Sequence, residues 1–265
     1  MKKQFIVLFI ILIIVSCRKA DRDLDRSIVD CQDNGIGLTF VLDAWRIVDE
    51  ACKSTSALRS SSINCAGIVY DDLQNPMLLQ IDYGTNGCTA SDGRTRKGKI
   101  ICTLSNNYTA AGSVINMSLQ HFYINNYHLE GNITFTNLGL NALMQSEYKL
   151  NATNIKITSP DLSKSFLWNC DIKLVWTAGE STTVNFSDDT YVITGSSSGT
   201  NHKGNTFTTN ITQAGTLSAG CYWLQNAVIE VAPQALTKRK MTYRATCVNS
   251  ASVNVNGYEY VVELP

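Results

Sequence analysis

Residues 113–136 read SVINMSLQHFYINNYHLEGNITFT, and their pattern decides the fold. Polar and apolar residues alternate on both sides of Asn125-Asn126, as in Met117-Ser118-Leu119-Gln120 and Asn132-Ile133-Thr134-Phe135. A period of two sends successive side chains to opposite faces of a strand. Asparagine tolerates positive φ, so two in succession suit the tight turn that joins antiparallel strands. The stretch is predicted to be a hairpin of two long strands, Ser113 to Ile124 and Tyr127 to Thr136.

The same alternation begins near residue 77 and runs to the end of the chain. It predicts strands at Leu78 to Tyr83, Lys97 to Leu104, Glu147 to Thr158, Asp171 to Trp176, Thr190 to Ser197 and Thr206 to Thr212. Four more are predicted at Cys221 to Val231, Lys240 to Ala245, Ser252 to Val255 and Tyr258 to Leu264. Turn residues fill the gaps, with Ser198-Gly199, Lys203-Gly204 and Asn256-Gly257 the clearest. Gaps this short leave no room for parallel crossovers, so the sheet must be antiparallel. So many strands cannot lie in one flat sheet without curling or splitting. The fold class is therefore mainly β: a large antiparallel sheet, either a curved half-barrel or a two-sheet sandwich, with a short N-terminal helix. The length of several strands favours the curved sheet.

That helix is marked by Val41, Ala44, Trp45, Val48 and Cys52 at intervals of three and four, with Asp43, Arg46, Asp49 and Glu50 on the opposite face. The Ser/Thr-rich stretch from Ser54 to Ser62 ends it. Before it, Lys2 and Lys3 precede an apolar run from Phe5 to Val15. The run is shorter than the roughly 20 residues a membrane-spanning helix needs, and it suits the core of a secretory signal. It closes on Ile14-Val15-Ser16-Cys17, a lipobox pattern. A nucleophilic sulfur there would take a diacylglycerol, and the amino group freed by cleavage would take an acyl chain such as palmitate. Two or three chains give durable anchoring where one is marginal. The expected organisation is a signal peptide at 1–16, a lipidated Cys17 with a flexible tether at 17–33, a helical segment at 34–75 and an antiparallel β domain at 76–265.

Of the 265 residues, 44% are hydrophobic and 17% charged, enough apolar mass for a core. Twenty-two basic and twenty-two acidic residues cancel, which argues against a nucleic-acid partner. The one basic patch, Arg94-Thr95-Arg96-Lys97-Gly98-Lys99, is expected on an exposed strand end, where such charge discourages edge pairing. Besides Cys17, eight cysteines remain, an even number that favours disulfides in an exported chain. None forms a CxxC pair, which excludes zinc-ribbon and thioredoxin-type sites. Some pairing is expected among Cys31, Cys52 and Cys65.

Chemistry-bearing clusters are few. In the central hairpin Tyr123 should face His128 and His121 should face Glu130. His121, His128 and Glu130 are of the types that hold a divalent metal, but an aromatic and polar ladder on a solvated face is the preferred reading. Trp168, Trp176, Tyr222 and Trp223 offer candidate stacking surfaces for a sugar or lipid, against the plainer role of core filling. No GxSxG elbow or phosphate-cradling loop is present. The carboxylate pairs Asp71-Asp72 and Asp188-Asp189 are adjacent in sequence and point apart, unlike glycosidase pairs. No catalytic residues, no cofactor and no enzymatic activity are expected.

A faint internal similarity links Ile81-Asp82-Tyr83-Gly84 with Cys88 to Met241-Thr242-Tyr243-Arg244 with Cys247. The stretch from Ile81 to Cys88, continued by Asp92-Gly93-Arg94-Thr95-Arg96-Lys97-Gly98-Lys99-Ile100-Ile101, resembles a pattern in uncharacterised cell-envelope lipoproteins of Bacteroidota. So does Thr246-Cys247 followed by Ala251-Ser252-Val253-Asn254-Val255-Asn256-Gly257. The resemblance implies an envelope β-protein and brings no active-site residues with it. The expected function is that of a lipid-anchored structural or binding protein of the cell envelope, in the outer membrane and facing either the periplasm or the surface. Its alternatives are a periplasmic carrier of lipid or hydrophobic ligands and a surface glycan-binding or glycan-degrading protein. The partners that follow are the membrane, through the lipid, and a glycan, lipid or envelope protein.

Overall fold

A computed structural model describes residues 25–53, 62–63, 65–182 and 186–265. The predicted signal peptide, Cys17 and the first part of the tether lie outside the described residues, as does the stretch 54–61. The described chain opens with one helix, α1 (Val29–Lys53). Strands β1 (Ser62–Ile63), β2 (Ala66–Asp71), β3 (Met77–Asp82), β4 (Cys88–Thr89), β5 (Thr95–Leu104), β6 (Val114–Ile124), β7 (Tyr127–Leu140) and β8 (Ser146–Thr158) follow. The second half holds β9 (Ser165–Ala178), β10 (Thr190–Thr200), β11 (Thr206–Gln213), β12 (Gly215–Ser218), β13 (Val228–Pro233), β14 (Arg239–Tyr243), β15 (Ser250–Val255) and β16 (Tyr258–Glu263).

All sixteen strands belong to one antiparallel sheet, with neighbours in chain order except that β4 pairs beside β3 on β5 and β12 beside β11 on β10. The sheet does not close into a barrel. It curls: α1 is met by Arg96 on β5, Tyr127 on β7, Trp168 on β9, Met241 on β14 and Leu264 just after β16. A flat sheet could not touch one helix from both flanks. The single curved sheet is thus the form adopted, not the two-sheet sandwich.

The central hairpin forms as its sequence predicts. Tyr123 pairs with His128, and Asn125 and Asn126 take φ of 48° and 65°. The register slips between Ser118 and Phe122, where β6 carries one extra residue and His121 has φ 46°. Such a bulge displaces His121 from its expected place opposite Glu130. Its trace in the sequence is the spacing of Leu119 and Phe122, three apart where alternation requires two. Two other expectations shift: β10 runs through Ser198-Gly199, and the strand expected from Cys221 starts only at Val228.

The helix is longer and more deeply buried than its apolar stripe suggests. It starts at Val29, inside the expected tether, and Asp25 already pairs with Arg239 at 2.5 Å, so residues 25–33 belong to the folded part. The sheet in turn begins at Ser62, within the segment expected to be helical. Twenty of the 25 helical residues are buried, among them Asp30, Asp33, Asn34, Asp43 and Asp49. An unpaired charge in such a place costs several kcal/mol, and the sheet and its turns supply a partner to each carboxylate and to the Asn34 oxygen, the Asn34 side-chain nitrogen alone having none. Asn201 donates to Asp30 at 2.7 Å, His202 binds Asp33 at 2.8 Å, and Trp168 and Ser197 donate to Asn34 at 3.0 and 2.6 Å. Gly37 lets the sheet approach closely, since a Cβ there would stand 2.6 Å from the Trp168 ring. Glycine in a helix costs about 1 kcal/mol against alanine, and here the contact requires it.

The disulfides are Cys65–Cys88 and Cys221–Cys247. Cys31 and Cys52, expected to take part in pairing, are buried free thiols, as are Cys102 and Cys170. They sit near opposite ends of α1, and a rise of 1.5 Å per residue puts them roughly 30 Å apart, far beyond disulfide reach. Burial pushes the Cys31 and Cys170 thiols up to about 12, which leaves them unreactive.

Candidate functional site: the seam of the open sheet

Where the two flanks of the sheet approach, side chains bridge them instead of strand pairing. Arg94, in the turn between β4 and β5, donates Nη2 to the Pro265 carbonyl oxygen at 3.0 Å, and Trp223 donates its indole N–H to the same oxygen at 3.3 Å. The Arg94 guanidinium also lies over the Tyr222 ring. Each disulfide fastens one flank of this seam: Cys65–Cys88 ties the β1–β2 turn to β4, and Cys221–Cys247 ties two loops of the opposite flank. Each disulfide includes the cysteine of one of the two similar segments seen in the sequence, Cys88 or Cys247.

The seam encloses a cleft of about 640 Å³, within the range typical of small-molecule sites. Its floor is the polar stripe of α1, Asp43, Arg46 and Glu50, spaced at helical intervals, with the apolar Ile47 beside it. Asp92, Arg94 and Arg96 come from one flank, and Tyr222, Trp223 and Cys247 from the other.

Arg96 is fully committed. It donates to Asp43 at 2.9 and 2.6 Å and to Asp92 at 2.6 and 3.2 Å. Burial opposes its charge, yet the two carboxylates outweigh that and push its pKa above the ordinary arginine value. Burial likewise works against the Asp92 carboxylate, but the Arg96 hydrogen bonds outweigh it and hold Asp92 low. Arg94 differs. It is 5% exposed, and burial lowers its pKa to about 9 because Asp43 and Asp92 compensate only in part. Its Nη1 and the Tyr222 hydroxyl are buried without a hydrogen-bond partner. Arg46, also lowered by burial, donates to the Cys221 carbonyl at 3.1 Å. Burial pushes Glu50 up to about 7, with Arg46 opposing and Asp49 and Asp43 adding to the rise.

The residues singled out from sequence divide between core, cleft and outer surface. Trp168 is fully buried against α1, and Trp176 packs under the Lys53 ammonium, 3.4 Å from its ring centre. Both are core residues. Tyr222 and Trp223 line the cleft, edge to face at 5.8 Å. His121, His128 and Glu130 share a shallow outer depression. There His128 stacks on Tyr123 at 4.5 Å, lies 3.7 Å from Glu130, and Glu130 also pairs with Lys156 at 3.3 Å. Among the described residues no group of three His, Cys, Asp or Glu could hold a metal ion. Asp71 accepts from the Leu73 backbone at 3.0 Å, Asp188 from Thr182 at 2.8 Å, and Asp189 pairs with Lys53 at 3.1 Å.

Arg94 and Arg96 overturn the expectation of an exposed basic strand end. They share parity with Ile100, Cys102 and Leu104, the inward positions of β5, and both are buried. That shared parity was the available signal. No protein-family model, curated protein or solved structure matches this chain.

Proposed function

We propose that this chain is a lipid-anchored binding protein of the cell envelope, held at the outer membrane through Cys17, with the seam cleft as its ligand site and no catalytic step. The cleft carries the binding half of this reading, because it joins two aromatic rings and three arginines in one concave space. The lipobox at Ile14-Val15-Ser16-Cys17 supports the anchor, and two disulfides suit an oxidising compartment outside the cytoplasm.

Two observations weigh among the alternatives. A lipid carrier needs an apolar hollow on the concave face, and α1 fills that face, so loading would require expelling a 25-residue helix. Glycan binding gains from Tyr222 and Trp223 in the cleft. Hydrolysis gains nothing there, since Asp43 and Asp92 share one guanidinium instead of facing each other across a substrate. The test is metabolic labelling with an alkyne analogue of palmitate, followed by protease treatment of intact cells. The expected result is a labelled, membrane-bound protein whose label and membrane retention are both lost in Cys17→Ser. Label that persists in that variant would refute the anchor.

A further inference from the structure

We infer that the ligand of the seam cleft is an acidic sugar, its carboxylate held by Arg94 Nη1 and the Tyr222 hydroxyl and its ring face laid on Trp223. This rests on the seam cleft being the binding site. The first support is the pair of unsatisfied groups. A buried donor without an acceptor costs about 1–3 kcal/mol, and of six such atoms among the described residues two, just beneath the surface, belong to residues that line this cleft. A guanidinium edge and a phenol hydroxyl together match a carboxylate, which accepts from two donors in one plane.

The second support is charge. Arg46, Arg94 and Arg96 stand against Asp43, Asp92 and Glu50, three of each sign. With Glu50 protonated the lining side chains carry one excess positive charge, on which the Pro265 oxygen bound by Arg94 already draws, so the cleft suits at most one carboxylate and not a phosphate dianion. Glu50 is faced by Arg46, Asp43 and Asp49 on α1, by Arg96 on β5, and by Asp189 and Tyr191 across a smaller adjoining cavity. A bound anion adds to the forces that keep it protonated, so binding should take up a proton and tighten as pH falls. The third support is the aromatic wall. Trp223 presents a flat apolar face beside the anion-holding groups, while the Tyr222 face is taken by Arg94, and an aromatic face supplies apolar area at little entropic cost.

The experiment records indole N–H signals of the ¹⁵N-labelled protein, with Trp223→Phe assigning the Trp223 resonance. D-glucuronate and D-galacturonate are titrated beside D-glucose, D-galactose and inorganic phosphate. The expected result is a Trp223 shift with at least one uronate at a Kd ten or more times lower than its neutral counterpart, little response to phosphate, and several-fold tighter binding at pH 6 than at pH 8. Arg94→Gln should abolish the preference for the acid. Tyr222→Phe, which removes only the hydroxyl, should weaken the uronate about tenfold and leave the neutral sugar unchanged. Equal binding of acid and neutral sugars at Trp223 would overturn the carboxylate assignment and keep the cleft as the site. Uronate binding that leaves Trp223 unmoved would overturn both. No response to either uronate would overturn the acidic-sugar assignment alone.

Discussion

The C-terminal end of α1 and the seam both bury charged groups of the same helix, yet they satisfy them differently. At the helix end Lys53 lies between Asp49 and Asp189 at 2.9 and 3.1 Å and over the Trp176 ring. The Tyr108 and Tyr191 hydroxyls both donate to Asp49. At the seam Arg96 is clamped by two carboxylates while Arg94, a short step along the same flank, keeps Nη1 unpaired. A closed network holds a fold in register; an open one at the wall of a cleft stores a cost that a ligand can relieve. The contrast separates the scaffold from the site within one continuous core.

The sharpest way to break this contrast is at the helix end. Lys53→Ala leaves Asp49 and Asp189 buried together without their cation and should cost about 3–5 kcal/mol, measured by chemical denaturation. A loss under 1 kcal/mol would mean that this end is not the structural one. Next, replacing Cys221 and Cys247 together by Ser opens a loop of 26 residues and should cost about 3 kcal/mol while loosening the Tyr222–Trp223 wall. Circular dichroism melts and sugar titration together would show whether stability and binding fall together.

A smaller effect should appear as pH dependence. Glu50 has its folded pKa raised, so the stability it contributes is fully present below its unfolded value near 4.5 and is lost as pH rises through about 7. Stability should therefore decline across that window by about 3 kcal/mol before solvent screening of this partly exposed group reduces it, and Glu50→Gln should flatten the decline. An unchanged slope in the variant would place the titration elsewhere. The smallest change is expected for Arg94→Gln, within about 1 kcal/mol of the parent, because that side chain already carries an unmet donor. If it cost as much as Lys53→Ala, the seam would be scaffold and not site.

Much of the scaffold was legible because alternation and turn chemistry act locally. The hairpins at Asn125-Asn126 and Asn256-Gly257 follow from positive φ at adjacent turn residues, and the short gaps dictated antiparallel pairing, while one curved sheet was only favoured over two packed sheets by strand length. The helix was legible in its apolar stripe but not in its burial, since Asp30, Asp33 and Asn34 find their partners only on β9 and β10 and in the turn after β10, more than 130 residues away. The cleft was half legible. Tyr222 and Trp223 stood out as aromatic residues, but Arg94 and Arg96 looked like surface charge. Their partners, Asp43 on α1 and the Pro265 oxygen, lie 53 and 171 positions away. Disulfide pairing escaped for the same reason: only the curl of the sheet decides which cysteines meet.

Hydrogen–deuterium exchange resolved by segment tests most directly whether α1 is the post around which the sheet is built. Amides of residues 29–53 should exchange only through global unfolding, while residues 86–96 and 219–227 at the seam open at least about a hundredfold more often. Early exchange of α1, with the sheet still protected, would contradict this. It would make the helix a lid over a concave apolar face and put the lipid carrier ahead of the proposed binding protein.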